Sequence, residues 1–229
     1  MFQVNSKWTQ ADAALSGIKV TGSDRNEPVL VSGFAEGLQL AGIGTDAAVF
    51  TYDGTPGYAF KVYSDAALPK KETERLVYEK LEGIPFFPRY YGEGSNYLVI
   101  SHERGVTLHD CLLQGIPIPE QAIQDVETAR ELVRSRGLNP RDIHLKNVLL
   151  QDERGKVLDV SEYVLEGDDK RWEHLVWAYR VFYPGLEGKK LPMWVLETIK
   201  IGYARLDQAS HSLDEFGGRV SQLFARFLK

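Results

Sequence analysis

Residues 140–160, PRDIHLKNVLLQDERGKVLDV, constrain this chain more than any other stretch, because they bring three polar side chains with metal- and proton-handling chemistry onto one short hairpin. Asp142 is followed by Asn147, which leads into the apolar run Val148-Leu149-Leu150; a turn and a second apolar strand then reach Asp159. Phosphoryl transfer calls for this set. One carboxylate orients and deprotonates an incoming hydroxyl, while amide and carboxylate oxygens hold the Mg²⁺ that neutralises phosphate charge. The same residue types also suit an exposed β-turn, so a second, independent signal is required.

That signal lies upstream, in residues 38–64, LQLAGIGTDAAVFTYDGTPGYAFKVYS. Leu38 and Leu40 lead into Gly42 and Gly44. Val49 to Tyr52 then run to a Gly- and Pro-rich turn, Asp53 to Gly57, and Tyr58 to Tyr63 return, which predicts three successive strands. Glycines without Cβ let a backbone lie close over a triphosphate, and Lys61 on the third strand can reach the α and β phosphates. The G-x-G-x-x-A pattern also fits a dinucleotide-binding fingerprint. A Rossmann fold, however, needs a helix directly after the glycines, whereas Ala48-Val49-Phe50-Thr51-Tyr52 is β-branched and aromatic. The competing role for Lys61 is a surface lysine snorkelling from an edge strand.

Composition narrows the class. With 229 residues, 43% apolar and 26% charged, the chain can bury a real core in one or two domains. No apolar stretch approaches the ~20 residues that span a bilayer, and MFQVNSKWTQ lacks a basic start followed by an apolar run, so a cytoplasmic protein without a membrane partner is expected. The single cysteine, Cys111, excludes an internal disulfide and reads as a helix-packing residue. A net charge of −5 without a Lys/Arg run gives no footprint for nucleic acid.

Between and beyond the two signals, helical patterns dominate. Pro69 opens a helix whose apolar stripe is Leu76, Val77, Tyr78 and Leu81, stopping at Gly83. Residues 96–105, NYLVISHERG, form an apolar strand that ends abruptly in polar residues. A helix with Ala122, Ile123, Val126, Ala129, Leu132 and Val133 on one face closes at Gly137. Another carries Trp172, Leu175, Val176, Tyr179 and Phe182, and a last one places Val220, Leu223, Phe224 and Phe227 together.

Residues 140–160 resemble the catalytic loop and metal-binding strand of the protein kinase superfamily, and Tyr58-Ala59-Phe60-Lys61, following Gly42 and Gly44, is similar to its V-A-I-K strand. The resemblance covers roughly residues 38–185 in the family's order. It implies an α+β, bilobal kinase-like fold: a small antiparallel sheet lobe with one main helix over residues 1–102, and a mostly helical lobe over 103–229. It further implies ATP and Mg²⁺ as cofactors. Gly42, Ile43, Gly44, Thr45 and Val49 would contact nucleotide, and Glu74, or alternatively Glu72, would pair with Lys61. Ile100 would line the pocket, with the Ser101 carbonyl and the Glu103 amide meeting the base. Asp142 would act as base, His144 would stand near the transferring phosphate, and Asn147 and Asp159 would hold the metal.

Departures from the family pattern bear on substrate. Pro140 occupies the usual histidine position, so that residue's hydrogen bonds must be replaced. The D-x-H-x-x-N loop with His144 resembles aminoglycoside and choline phosphotransferases, and an imidazole could still donate to a phosphate. Val160 and Ser161 replace the usual Phe-Gly, and only Ser161 to Lys170 separate the metal strand from the next helix, leaving no room for a long activation segment. Arg141 is then a structural residue. The resemblance thus implies a small, atypical serine/threonine protein kinase of bacterial type, transferring phosphate to a hydroxyl on itself or a partner. The alternatives are a small-molecule kinase and a nucleotide-binding regulator without turnover.

Overall fold

A computed structural model describes residues 7–23, 25, 27–167, 169–204, 217, 218 and 220–222. The chain divides into two units, the first built from residues 1–104, 126–140 and 156–167, the second from 105–125, 141–155 and 168–229. The expected α+β composition is borne out, with an antiparallel sheet early in the chain and helices later.

In the first unit α1 (Asp12–Ser16) and the hairpin β1 (Lys19–Thr21) and β2 (Leu30–Ser32) precede β3 (Leu38–Ile43), β4 (Ala47–Tyr52) and β5 (Tyr58–Tyr63). Helix α2 (Leu68–Lys80) follows, then β6 (Tyr90–Glu93) and β7 (Tyr97–Ser101). The order β3-β4-β5-β7-β6, antiparallel throughout, puts β5 at the centre. Strand alternation then sorts its side chains. Phe60 and Val62 join Ala48, Phe50, Tyr97 and Val99 in a core closed by Ala11, Leu15, Val20 and Val29 from the N-terminal elements. Ala59, Lys61 and Tyr63 point to the other face, and α2 packs against β6 and β7.

One expected core residue is corrected. Leu76 does not belong to the inner stripe of α2 but is 49% exposed, because its position on the helix faces outward. The inward positions are Lys71, Glu74, Val77 and Tyr78, so two charged residues occupy sites that a pattern of apolar side chains cannot reveal.

In the second unit, β8 (Val106–Thr107) leads into α3 (Leu108–Gln114), where the Thr107 side chain caps the helix by accepting from the Asp110 amide and the buried Cys111 packs. Helix α4 (Glu120–Ser135) begins here and ends in the first unit, stopping before Gly137 at φ 70°. Strand β9 (Val148–Gln151) pairs with β8 and turns through Asp152 and Glu153, both at positive φ, into β10 (Arg154–Val157). Helices α5 (Arg171–Phe182) and α6 (Met193–Ala204) complete the unit around Leu186, Leu191, Val195, Leu196 and Val220, with α5 burying Trp172 and Val176 as expected. Leu223, Phe224 and Phe227 lie outside the described residues.

The exposure of α2 side chains sets opposite outcomes for adjacent truncations. Leu76→Ala should change stability by less than about 0.5 kcal/mol, whereas Val77→Ala should cost about 2 kcal/mol, both read from urea unfolding.

Candidate active site

The upstream candidates gather on the inner face of the five-stranded sheet. Gly42 pairs with Val49, Val49 with Lys61 and Lys61 with Leu98, so these four residues form one row across β3, β4, β5 and β7. A bulge between Leu40 and Gly42 bends the edge strand, and the Gly44 amide bonds the Ala47 carbonyl at 2.9 Å to close the turn that carries Thr45, with Ile43 just before it. Lys61 therefore sits on a central strand, and its side chain is only 12% exposed. The edge-strand role is excluded.

Lys61 Nζ bonds both oxygens of the fully buried Glu74, at 2.7 and 2.8 Å, and lies 3.4 Å from Asp159 Oδ1. Of the two glutamates considered, Glu72 instead faces outward and pairs with Lys71 and Arg75. Burial pushes the Glu74 carboxyl above its ordinary value, opposed by Lys61. Burial would lower the Lys61 ammonium, but Asp159 and Glu74 together raise it. For Asp159, burial pushes upward, yet the Lys61 charge and the Ser161 amide, 2.9 Å from Oδ1, hold it below the usual range. Its side chain keeps 43% of its surface open, which leaves carboxylate oxygen for a ligand.

At the end of β7, Ile100 is buried on the same face as Leu98. The Ser101 hydroxyl donates to the Glu103 carboxylate, which also accepts from Lys156 Nζ at 2.6 Å. The Ser101 amide bonds the Arg89 carbonyl at 2.8 Å, so the segment is pinned on both sides.

Asp142, His144 and Asn147 belong to the second unit, where they form a loop tied to itself. Asp142 adopts φ 53°, a left-handed conformation that an L side chain occupies only when its surroundings hold it there. Its amide donates to Asp169 Oδ2 at 2.7 Å, its carbonyl accepts from Asn147 Nδ2 at 2.6 Å, and its carboxylate pairs with Arg171. Asn147 Oδ1 accepts the His144 amide at 2.9 Å. His144 Nδ1 faces the Lys146 amide at 3.2 Å as acceptor, so the proton of the neutral ring is assigned to Nε2. Burial raises Asp169, but the amides of Arg171 and Asp142 hold it below the usual carboxylate range.

Sequence patterns missed Tyr63, Asn139, Asp169 and Arg171. The Tyr63 hydroxyl donates to Glu74 Oε2 at 2.7 Å, a contact signalled only by its standing two residues from Lys61 on one strand face. Asn139, next to Pro140, donates from Nδ2 to the Leu165 and Gly167 carbonyls at 2.8 and 2.9 Å, and its amide bonds the Tyr163 carbonyl. It ties down the short segment after Asp159 where the usual histidine is missing. An acidic residue just before a helix was the available clue to Asp169.

An antiparallel sheet followed by helices, with a buried lysine–glutamate pair beside an aspartate, makes an α+β protein compatible with a kinase-like fold. No family model matches the chain. A relative from Bacillus subtilis (strain 168), named "Putative serine/threonine-protein kinase YrzF", is 34% identical over 174 residues, which is 75% of this chain and 81% of the relative. The chain belongs to the family of that kinase-like protein. Among the described residues, no helix is long and apolar enough to cross a membrane.

The buried pair makes a stability prediction. Lys61→Met should cost about 3 kcal/mol, because it strands the Glu74 carboxylate in the interior, and a further Glu74→Leu should recover part of it. In Lys61→Met the folded-state Glu74 pKa rises still further above 4.5, so the folded state binds the extra proton. Stability then falls as pH rises, and the deficit in urea unfolding should be larger at about pH 8 than at about pH 5.

Proposed function

We propose that this chain is an ATP- and Mg²⁺-dependent phosphotransferase acting as a small atypical serine/threonine protein kinase, with residues 1–102 as its small lobe and 103–229 as its large one. The observation that carries it is Lys61 held between Glu74 and Asp159, since a lysine clamped by a buried carboxylate is a fixed cation for the α and β phosphates. The name of the relative supports the same class.

In this reading Gly42, Ile43, Gly44, Thr45 and Val49 cover the nucleotide, while Ile100, Ser101 and Glu103 receive the base. Asp159 and Asn147 offer a carboxylate and an amide oxygen, the hard donors that suit Mg²⁺, and the Asn147 oxygen has a second lone pair beyond its bond to His144. A bound Mg²⁺ supplies charge neutralisation on the phosphates. Asp142 accepts the proton of the acceptor hydroxyl as its oxygen bonds the γ-phosphorus, and ADP leaves. The hydroxyl shares the carboxylate with Arg171, whose guanidinium orients it. His144 Nε2–H is a donor for a phosphate oxygen.

A small-molecule acceptor is the second reading, favoured by the segment Ser161–Lys170, which is too short to form the platform that lays out a peptide. Incubation of the chain with ATP and Mg²⁺, alone, with lysate protein and with a metabolite pool, followed by mass spectrometry, distinguishes the acceptors. Asp142→Asn should lower transfer by about 100-fold or more. Lys61→Ala and Asp159→Ala should each abolish thermal stabilisation by ATP–Mg²⁺; full transfer by Asp142→Asn would remove it as the base.

A further inference from the structure

A fully buried carboxylate stays ionised and oriented only where donors satisfy its oxygens. Glu74 has Lys61 on both oxygens and, on Oε2, the Tyr63 hydroxyl as well. Tyr63 is itself buried, and its phenol is held well above its ordinary range by burial first and by the Glu74 charge second, so it stays a donor. Lys61 Nζ also stands 5.7 Å from the centre of the Tyr63 ring.

The two donors differ in what else they must do. A lysine ammonium has three N–H groups. In this site they face the two Glu74 oxygens and Asp159 Oδ1. A phosphate oxygen can be met only by loosening one of those contacts, of which the one to Asp159 Oδ1 is the longest at 3.4 Å, so Lys61 is shared between Glu74 and its ligand when it is used. Tyr63 carries no charge to be drawn away. It sits on the same strand as Lys61, and its bond to Glu74 joins β5 to α2 directly. The segment Ser161–Lys170 is too short to order that helix through a phosphorylated loop.

We propose that Tyr63 is a positioning residue for the nucleotide phosphates, which rests on the nucleotide reading of Lys61: its hydroxyl fixes Glu74 and, through Glu74, keeps Lys61 aimed while the ammonium engages ATP. The lysine–glutamate pair thereby gains a second, uncharged tether between β5 and α2.

Tyr63→Phe retains the ring and removes only the hydroxyl. Isothermal calorimetry on the full chain with ATP–Mg²⁺, ADP–Mg²⁺ and adenosine separates phosphate positioning from general packing. Loss of one hydrogen bond to a charged group should raise the Kd for ATP and ADP by about tenfold, with adenosine unchanged. In a Glu74→Gln background the same substitution should add less than about twofold, because the group it acts through is already altered. Equal weakening of adenosine, or a full additional loss in Glu74→Gln, assigns Tyr63 a packing role and overturns the proposal. If the wild type binds ATP and Tyr63→Phe binds it equally well, the positioning role alone falls; if the wild type binds neither ATP nor ADP, the nucleotide reading falls with it.

Discussion

The contact between Lys61 and the buried Glu74 sets the conditions that the rest of the first unit must meet. Removing a carboxylate from water costs several kcal/mol, and the Coulomb attraction offsets this only with close geometry and satisfied oxygens. That geometry demands two independent registers. On β5 the alternation must turn Lys61 away from Phe60 and Val62, and on α2 the helical phase must turn Glu74 inward while Leu76 turns out. A one-residue slip of β5 would turn Lys61 into the apolar core, and a change of phase in α2 would leave Lys61 without Glu74. The N-terminal elements belong to the same constraint, since Ala11, Leu15, Val20 and Val29 cover the apolar face of the sheet and free its other face for polar work.

Much of this was legible in the sequence because it is written in local terms. The strands β3, β4 and β5 are β-branched and aromatic runs broken by glycine and proline, and they form where those patterns place them. The helices α4 and α5 show their apolar faces at helical spacing for the same reason. What stayed hidden depends on partners far along the chain. Lys71 and Glu74 fill inward positions of α2 through ion pairs, so a rule that counts apolar residues selects Leu76 instead. Tyr63 reads as a strand aromatic until α2 supplies an acceptor for its hydroxyl.

The loop around Asp142 shows the same dependence in the second unit. Aspartate visits a left-handed φ more readily than most side chains, but the residue types Pro-Arg-Asp do not by themselves fix it at Asp142. Asp169 bonds its amide and Asn147 its carbonyl, so both peptide groups flanking the strained residue are fixed by side chains. Asn147 thus has a structural task alongside any ligand it accepts, and its burial follows from that task.

Rigidity after Asp159 follows from the chemistry of its neighbours. Val160 is buried, the Ser161 amide bonds Asp159 Oδ1, the Leu158 carbonyl accepts the Tyr78 hydroxyl at 3.3 Å, and Asn139 holds the carbonyls of Leu165 and Gly167. Each contact restrains the segment after β10 that carries Asp159. The Asp159 carboxylate is itself held by the Ser161 amide at 2.9 Å and by Lys61 at 3.4 Å. The Lys61, Glu74 and Asp159 cluster is therefore held from three directions, by Tyr63 on β5, by the packing of α2 and by the pinned segment behind Asp159.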